Sequence, residues 1–244
     1  MDFSIVRAFH QATKIKKGQE LRKIPPGKWP REWRTICFKS YPRLPKIPLA
    51  RIDLPVKSLQ ETLLTRQSQR KFSNQPISFR LISQLLLYSA GVREQKTDWN
   101  KTRRTYPSGG ARYPLEIYLA VLKNGEIPEG IYHYNVKEHS LEELLKGNFR
   151  QEIYQAISQE MIKKAPLVLL ISAVFQRTMQ KYKDFGYRLI LFEAGHLGQN
   201  ISLVATNLGL KCCAIGGGDE DKINSLLDLD GESETVIYFF SLGK

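Results

Sequence analysis

Five short stretches in this 244-residue chain hold residue types that can do chemistry. The first is Arg66-Gln67-Ser68-Gln69-Arg70. In extended backbone, positions i, i+2 and i+4 face one way, so two guanidinium groups and a hydroxyl converge on one side. That is a clamp for phosphate or carboxylate, since arginine offers a planar fork of donors. A solvated basic loop is the plainer reading, and spacing alone leaves both open. The second is Ile215-Gly216-Gly217-Gly218-Asp219, ahead of a helix. It is either a backbone nest for an anion or a flexible turn with Asp219 as N-cap. It lacks GxGxxG spacing and a Walker lysine, so it is no dinucleotide or P-loop fingerprint.

The third is Lys181-Tyr182 within QRTMQKYKDFGYR, which reads as a polar loop. Such neighbours are ordinarily surface residues. A desolvated lysine can nevertheless accept a proton near neutral pH, and a tyrosine can relay one. The fourth is Glu193, His196 and Asn200, spaced to share a helix face. No further ligands accompany them, so hydrogen bonding across the core is expected rather than a metal. No Ser/His/Asp or Cys/His triad is indicated.

A fifth stretch is the loop that enters RRTYPSGGARYPLEIYLAV, with Pro107, Ser108, Gly109 and Gly110. It is either a turn before a strand or a backbone platform against a flat polar ligand, flanked by Arg103, Arg104 and Arg112.

These residues need elements to position them. The chain is 42% hydrophobic and 25% charged, enough to bury a sizeable core. Its net charge of +13 is uneven, because residues 1–57 carry 14 Lys and Arg against four Asp and Glu. Repeated prolines mark residues 24–56 as an extended arm rather than helix or central strand. Residues 1–57 are thus expected to form a basic Pro-rich arm packed on a body of residues 58–244. Helices are expected over 1–20, ending near Gly18, over 58–65 and over 79–90 with Ser78 as N-cap. One or two more should lie within 140–161, and a long central buried one should cover 187–210. Gly195 and Gly198 inside it imply very close packing. Strands are expected at 115–122, 130–135, 165–175 and 235–243, with a strand end before the glycine loop. The sum is an α+β fold with four to five strands flanked by helices.

No run reaches membrane-span length and no secretory h-region opens the chain. Three cysteines without ligand spacing suit a reducing cytoplasm. No nucleic-acid module and no membrane contact is expected.

Set in order, FHQATK, WPREWRTICFKSYPR, RQSQRKF, the Pro-Ser-Gly-Gly loop, KY followed by the long helix, and AIGGGD resemble the nitroreductase superfamily of flavoproteins. More closely they resemble its SagB-type branch, FMN-dependent azoline dehydrogenases acting on ribosomally made peptides. The resemblance implies a mainly antiparallel sheet and an intertwined homodimer with FMN at the interface. It implies that Arg66 and Ser68 hold the FMN phosphate, with Arg70 near flavin N1 and O2. Pro107, Ser108, Gly109 and Gly110 would lie on the isoalloxazine, and Ala214, Gly216 and Gly217 would face its O4 and N5. Asn200 would stand behind the flavin, and Lys244 would be a further phosphate contact. Lys181 and Tyr182 would be the proton acceptors, with flavin N5 taking a hydride as thiazoline or oxazoline becomes thiazole or oxazole. Lys183 and Arg188 are the nearby cations expected to lower the lysine's pKa.

The sequence departs from the family at Gln67, often arginine, and at Gly218, often aromatic, which would widen the pocket. A cyclodehydratase or leader-binding partner would supply peptide recognition. Two other functions stay open: an NAD(P)H-dependent nitro, quinone or flavin reductase, and a non-catalytic scaffold subunit of a peptide-modifying complex.

Overall fold

A computed structural model of the chain describes residues 3–15, 24–94 and 97–244. Among these residues seven strands form one antiparallel sheet: β1 (Lys46–Pro48), β2 (Leu115–Val121), β3 (Gly130–Asn135), β4 (Ser140–Lys146), β5 (Leu167–Val174), β6 (Lys211–Ile215) and β7 (Glu234–Gly243). Their order across the sheet is β1-β4-β3-β2-β5-β7-β6. The central strands β2 and β5 are almost wholly buried on both faces, which explains why apolar residues dominate them.

Among the described residues eight α-helices surround the sheet: α1 (Ser4–Ala12), α2 (Arg31–Arg34), α3 (Leu59–Thr65), α4 (Phe79–Ala90), α5 (Arg150–Ile157), α6 (Gln176–Tyr182), α7 (Phe185–Asn207) and α8 (Glu220–Leu227). Ser58 and Ser78 cap α3 and α4 by accepting from Glu61 N and Leu81 N, and Asp219 caps α8 by accepting from Lys222 N. Two core clusters lie on opposite faces of the sheet. One holds Leu85, Leu119, Leu197 and Ile201, the other Leu170, Ile153 and Phe239.

The fold is the expected α+β one, with more strands than the four to five anticipated. The main error is β4. SLEELLK is rich in helix formers, yet it pairs with β3 and buries Leu141 and Glu142. Glu142 Oε2 meets His133 Nδ1 at 2.9 Å across the pair, and Asn135 donates to Glu142 Oε1. Cross-strand partners override local propensity there. Within 140–161 only α5 and a 3₁₀ turn at Glu160–Lys163 are helical. The short edge strand β1 is hidden among prolines. The first helix ends at Ala12, and Gly18 lies outside the described residues.

Arm residues run over the body. β1 extends the sheet beside β4, Ile36 and Leu49 join the core, and Lys39 pairs with Glu234 at 2.7 Å. The long helix α7 buries one face only. Gly198 packs closely, since a Cβ there would come within 2.8 Å of Tyr238 and 2.9 Å of Phe240. Gly195 has nothing within 4 Å, on a face that also exposes Leu191 and Phe192. Among the described residues no helix is long and apolar enough to cross a membrane.

Candidate active site

Two groups of sequence-identified residues are assembled separately. The first lies at the β6 edge. Ser68 forms a parallel bridge with Cys212, and Gln69 N donates to Cys212 O at 2.9 Å, so residues 66–70 run as an extended strip along β6. Arg66 caps the end of α3. Ala214 lies near the end of the same strand, two residues past that bridge. Gly216 and Gly217 follow, both exposed, and a Cβ added to either would meet nothing within 4 Å. Lys244 is tied in by its carbonyl, which accepts from Ser73 N at 2.9 Å. Gly218 does not widen this edge. A Cβ there would meet Ala156 O at 3.2 Å and Phe239 at 3.3 Å, so the residue is small because α5 packs on it.

The second group centres on the loop before β2. Its backbone adopts left-handed conformations at Gly110 (φ 62), Ala111 (φ 55) and Tyr113 (φ 48). Ser108 steadies the loop, its Oγ accepting from Tyr113 N at 2.8 Å and its carbonyl from Ala111 N at 3.0 Å. The loop rests on α6 and α7. A Cβ at Gly110 would lie 2.5 Å from Tyr182 Oη and 3.1 Å from Lys181 Nζ, and one at Gly109 would press Leu189 at 3.2 Å. Glycine at 110 therefore lets the loop sit directly on the lysine–tyrosine pair.

That pair ends a helix, α6, and is not in a polar loop. Lys181 is only 8% exposed. Burial, then the neighbouring Arg112 charge, hold its pKa below the usual lysine value. Tyr182 is pushed up by burial, with Arg112 opposing. The expected cations do not play this part: Arg188 is spent on Thr13 Oγ1 (2.6 Å) and His10 O (2.6 Å), and Lys183 is exposed beyond the helix. Arg177 fixes α6 to the sheet through Glu116 Oε1 (2.5 Å) and Tyr113 O (3.1 Å). Burial would raise the Glu116 pKa, but Arg177, then His133, outweigh it and hold the carboxylate ionised.

The three arginines around the loop separate in role. Arg104 is buried, donating to Tyr106 Oη and Leu115 O and stacking 4.9 Å from the Tyr113 ring. Arg112 is 3% exposed and donates to Gly110 O and Glu32 O, linking loop to arm. Arg103 stays exposed. On α7, Glu193 is 2% exposed beneath the loop. Burial pushes its pKa up to about 8, with the Ser108 hydroxyl and the Gly109 N–H opposing, and its Oε1 has no hydrogen-bond partner. Asn200 donates to Ser89 O and Thr105 O, each at 3.3 Å, pinning α4 and the loop's approach to α7. His196 does not join them; it is exposed.

Sequence reasoning missed what the arm does here. Trp29 and Trp33 cover Lys181, whose Nζ lies 3.7 Å from the Trp29 ring centroid and 5.7 Å from that of Trp33. The only signal was two tryptophans in a proline-rich basic stretch. Two hollows of about 600 and 620 Å³ open beside Trp29, which lines both together with Arg103, Gly110 and Ala111. Arg93 adds positive charge to one, and Arg31, Arg34, Lys101 and Arg112 to the other. None of Arg66, Ser68, Gly216 or Gly217 lines either hollow. Lys244 follows β7 at one end of the sheet, whereas Gly216-Gly217 and the platform loop both lie at the other, where β2 begins, β5 ends and β6 points. Three strand steps separate them, roughly 14 Å at the usual spacing.

Comparison with known proteins agrees with this architecture. Residues 63–244 match the Nitroreductase family. A Methanocaldococcus jannaschii protein named as a nitroreductase, MJ1384, is 34% identical over 72% of this chain and 87% of its own length. The Escherichia coli microcin B17-processing protein McbC is 31% identical over 67% of this chain, which spans 62% of McbC. The E. coli microcin synthetase McbBCD complex, with truncated pro-MccB17 bound, contains a chain of the same fold (TM-score 0.62, 24% identity, 99% of this chain and 92% of that one). The chain belongs to the nitroreductase family.

Proposed function

We propose that the protein is an FMN-dependent dehydrogenase that oxidises azoline rings in a ribosomally made peptide. One observation carries the reading: Lys181, buried and without a carboxylate partner among the described residues, sits with Tyr182 against Gly110 of the platform loop. A reductase that only passes electrons to a nitro group or quinone has no need of such a pair. Similarity to a microcin-processing protein supports the peptide substrate.

The residues present fit FMN. Arg66, Ser68, Arg70 and Lys244 offer cationic and hydroxyl donors for a phosphate, and Gly216 and Gly217 leave open the space that side chains would fill. Pro107 and Ser108 lead into the 3₁₀ turn Gly109–Ala111, whose two glycines leave backbone uncovered by side chains. Bound FMN supplies a two-electron acceptor. Because the two residue groups lie apart in one chain, a second copy is the natural source of the missing half. Val56, Leu59, Leu63 and Leu64 before and on α3 stand exposed, as do Leu191 and Phe192 on the neighbouring α7, and Gly195 leaves room for close approach. An apolar surface of this kind is ordinarily covered.

The chemistry assigned to the chain's own residues is proton transfer. The ring α-hydrogen of an azoline is acidic because C=N and C=O flank it. Neutral Lys181 takes that proton, and Tyr182 hydrogen-bonds beside it to orient or relay. The lowered lysine pKa makes the neutral amine more available near pH 7. Glu193 and Asn200 brace the loop from behind. A cyclodehydratase or leader-binding protein in the cytoplasm is the partner class this role requires.

Similarity to MJ1384 keeps a simple reductase as the second reading. Rapid NAD(P)H bleaching of the flavin with menadione turnover, and no azoline oxidation, would establish it. The first reading expects Lys181→Ala to retain FMN and lose azoline oxidation.

A further inference from the structure

The arm's tryptophans have no part in the function just argued, yet both lie over its central lysine. Lys181 Nζ stands 3.7 Å from the Trp29 ring centroid, close to van der Waals contact with the ring face. Trp33 at 5.7 Å and Tyr182 at 5.4 Å complete three aromatic neighbours. The charged and titratable groups facing the amine are Arg112, from the loop, and Tyr182, from its own helix. The described part of the arm brings it two indoles and no acid. No ion pair to Lys181 occurs among the described residues. A buried ammonium without an anion finds stabilisation in an aromatic quadrupole, and tryptophan is the strongest such partner.

Trp29 is itself anchored. Its Nε1 donates to Ile24 O at 2.7 Å. The arm segment that follows is held where the loop and α6 meet: Arg112 Nη1 donates to Glu32 O at 2.7 Å and Gln180 Nε2 to the same oxygen at 3.4 Å. Ile36 N donates to Asn100 Oδ1 at 2.9 Å. The indole therefore has a fixed place over the amine, and it lines both cationic hollows.

We infer that Trp29 is a positioning residue for Lys181: the arm-borne indole holds the amine over Gly110, limits its access to solvent and sets its balance between charged and neutral forms. The inference rests on the reading of Lys181 as proton acceptor only for its catalytic consequence. The hold on the amine can be measured without turnover.

The test is competitive acylation of the full-length protein by acetic anhydride across a pH series, with Lys181 and the exposed Lys146 followed by mass spectrometry. In Trp29→Ala the Lys181 rate, relative to Lys146, should rise roughly tenfold as the cover is removed. Trp29→Leu keeps an apolar cover without a π face, so the labelling midpoint of Lys181 should fall by about 0.4–1.5 pH units. Trp29→Phe keeps a π face and should lie close to the parent protein. Thermal melts check that the folded core persists in each. If the Leu and Phe variants share the parent midpoint and the Ala variant labels no faster, Trp29 does not position Lys181 and the inference is overturned. The acid limb of azoline oxidation should shift with the labelling midpoint. A midpoint that moves while the limb stays still removes Lys181 as the proton acceptor but confirms that Trp29 holds it, so the two ideas fail separately.

Discussion

Two loops in this molecule are rich in glycine, and they use it differently. Around Gly109 and Gly110 every missing Cβ has a neighbour in the chain: Leu189 for one, Tyr182 and Lys181 for the other. Around Gly216 and Gly217 there is nothing within 4 Å. The first loop is small because the protein's own residues press on it. The second is small with no internal reason, at the end of a strand bordered by a cationic strip. Glycine that relieves a contact is a matter of folding and positioning. Glycine facing open space, where ordinary residues would be tolerated, points to something brought in from outside.

Substitutions can break this comparison. The largest effect is expected at the platform loop's partner: Lys181→Ala should lower azoline oxidation about 10²–10⁴-fold with FMN still bound, read as steady-state turnover beside flavin absorbance. Retained turnover would remove the proton acceptor from the account. Next is Arg66→Ala at the open loop's border. Losing a charge-assisted contact should weaken FMN about 10- to 100-fold in a fluorescence titration, with thermal stability of the cofactor-free protein nearly unchanged. Gly110→Ala should be felt even without cofactor. The left-handed backbone and the contact with Tyr182 should cost about 1–2 kcal/mol in urea unfolding, and turnover should fall with it. Gly216→Ala should leave urea unfolding within about 0.5 kcal/mol of the parent while weakening FMN. If the two glycine variants destabilise equally, the distinction between the loops is wrong.

Glu193 sharpens the platform side by pH. Its folded pKa, about 8, lies above the ordinary 4.5, so the unfolded chain releases this proton first as pH rises. The contribution to stability is complete below about pH 4.5 and is lost as pH climbs through 8. Glu193→Gln, which carries no such proton, should show a flatter stability curve between about pH 5 and 9, with its advantage over the parent largest at the alkaline end. Matching curves would mean the carboxyl is not buried as described.

Much of the fold is legible in the sequence because its signals are local. The apolar spacing from residue 58, the serine cap at 78, the alternating run at 115–121 and the apolar run at 167–174 each specify an element with little help from afar. The failure at 140–146 is one of context. Leu-Glu-Glu-Leu-Leu favours helix until β3 offers a partner and His133 a counter-group for Glu142. Site residues divide in the same way. The strip 66–70 and the loop 107–112 stand out by residue type and spacing. The company of Lys181 does not, because Arg112 lies 69 positions earlier and Trp29 earlier still, brought together by an arm whose path proline content alone does not specify. Asn200 stands out by its spacing, whereas its partners Ser89 and Thr105 come from other elements.

The central claim is that buried Lys181, with its neighbour Tyr182, and an FMN site together oxidise an azoline ring. It is tested most directly by incubating the FMN-loaded protein with a synthetic thiazoline peptide and following the peptide's mass. The account predicts a loss of about 2 Da, the two hydrogens removed as the ring becomes aromatic, absent in Lys181→Ala. An unchanged peptide mass with FMN bound and the wild-type pair intact would contradict it.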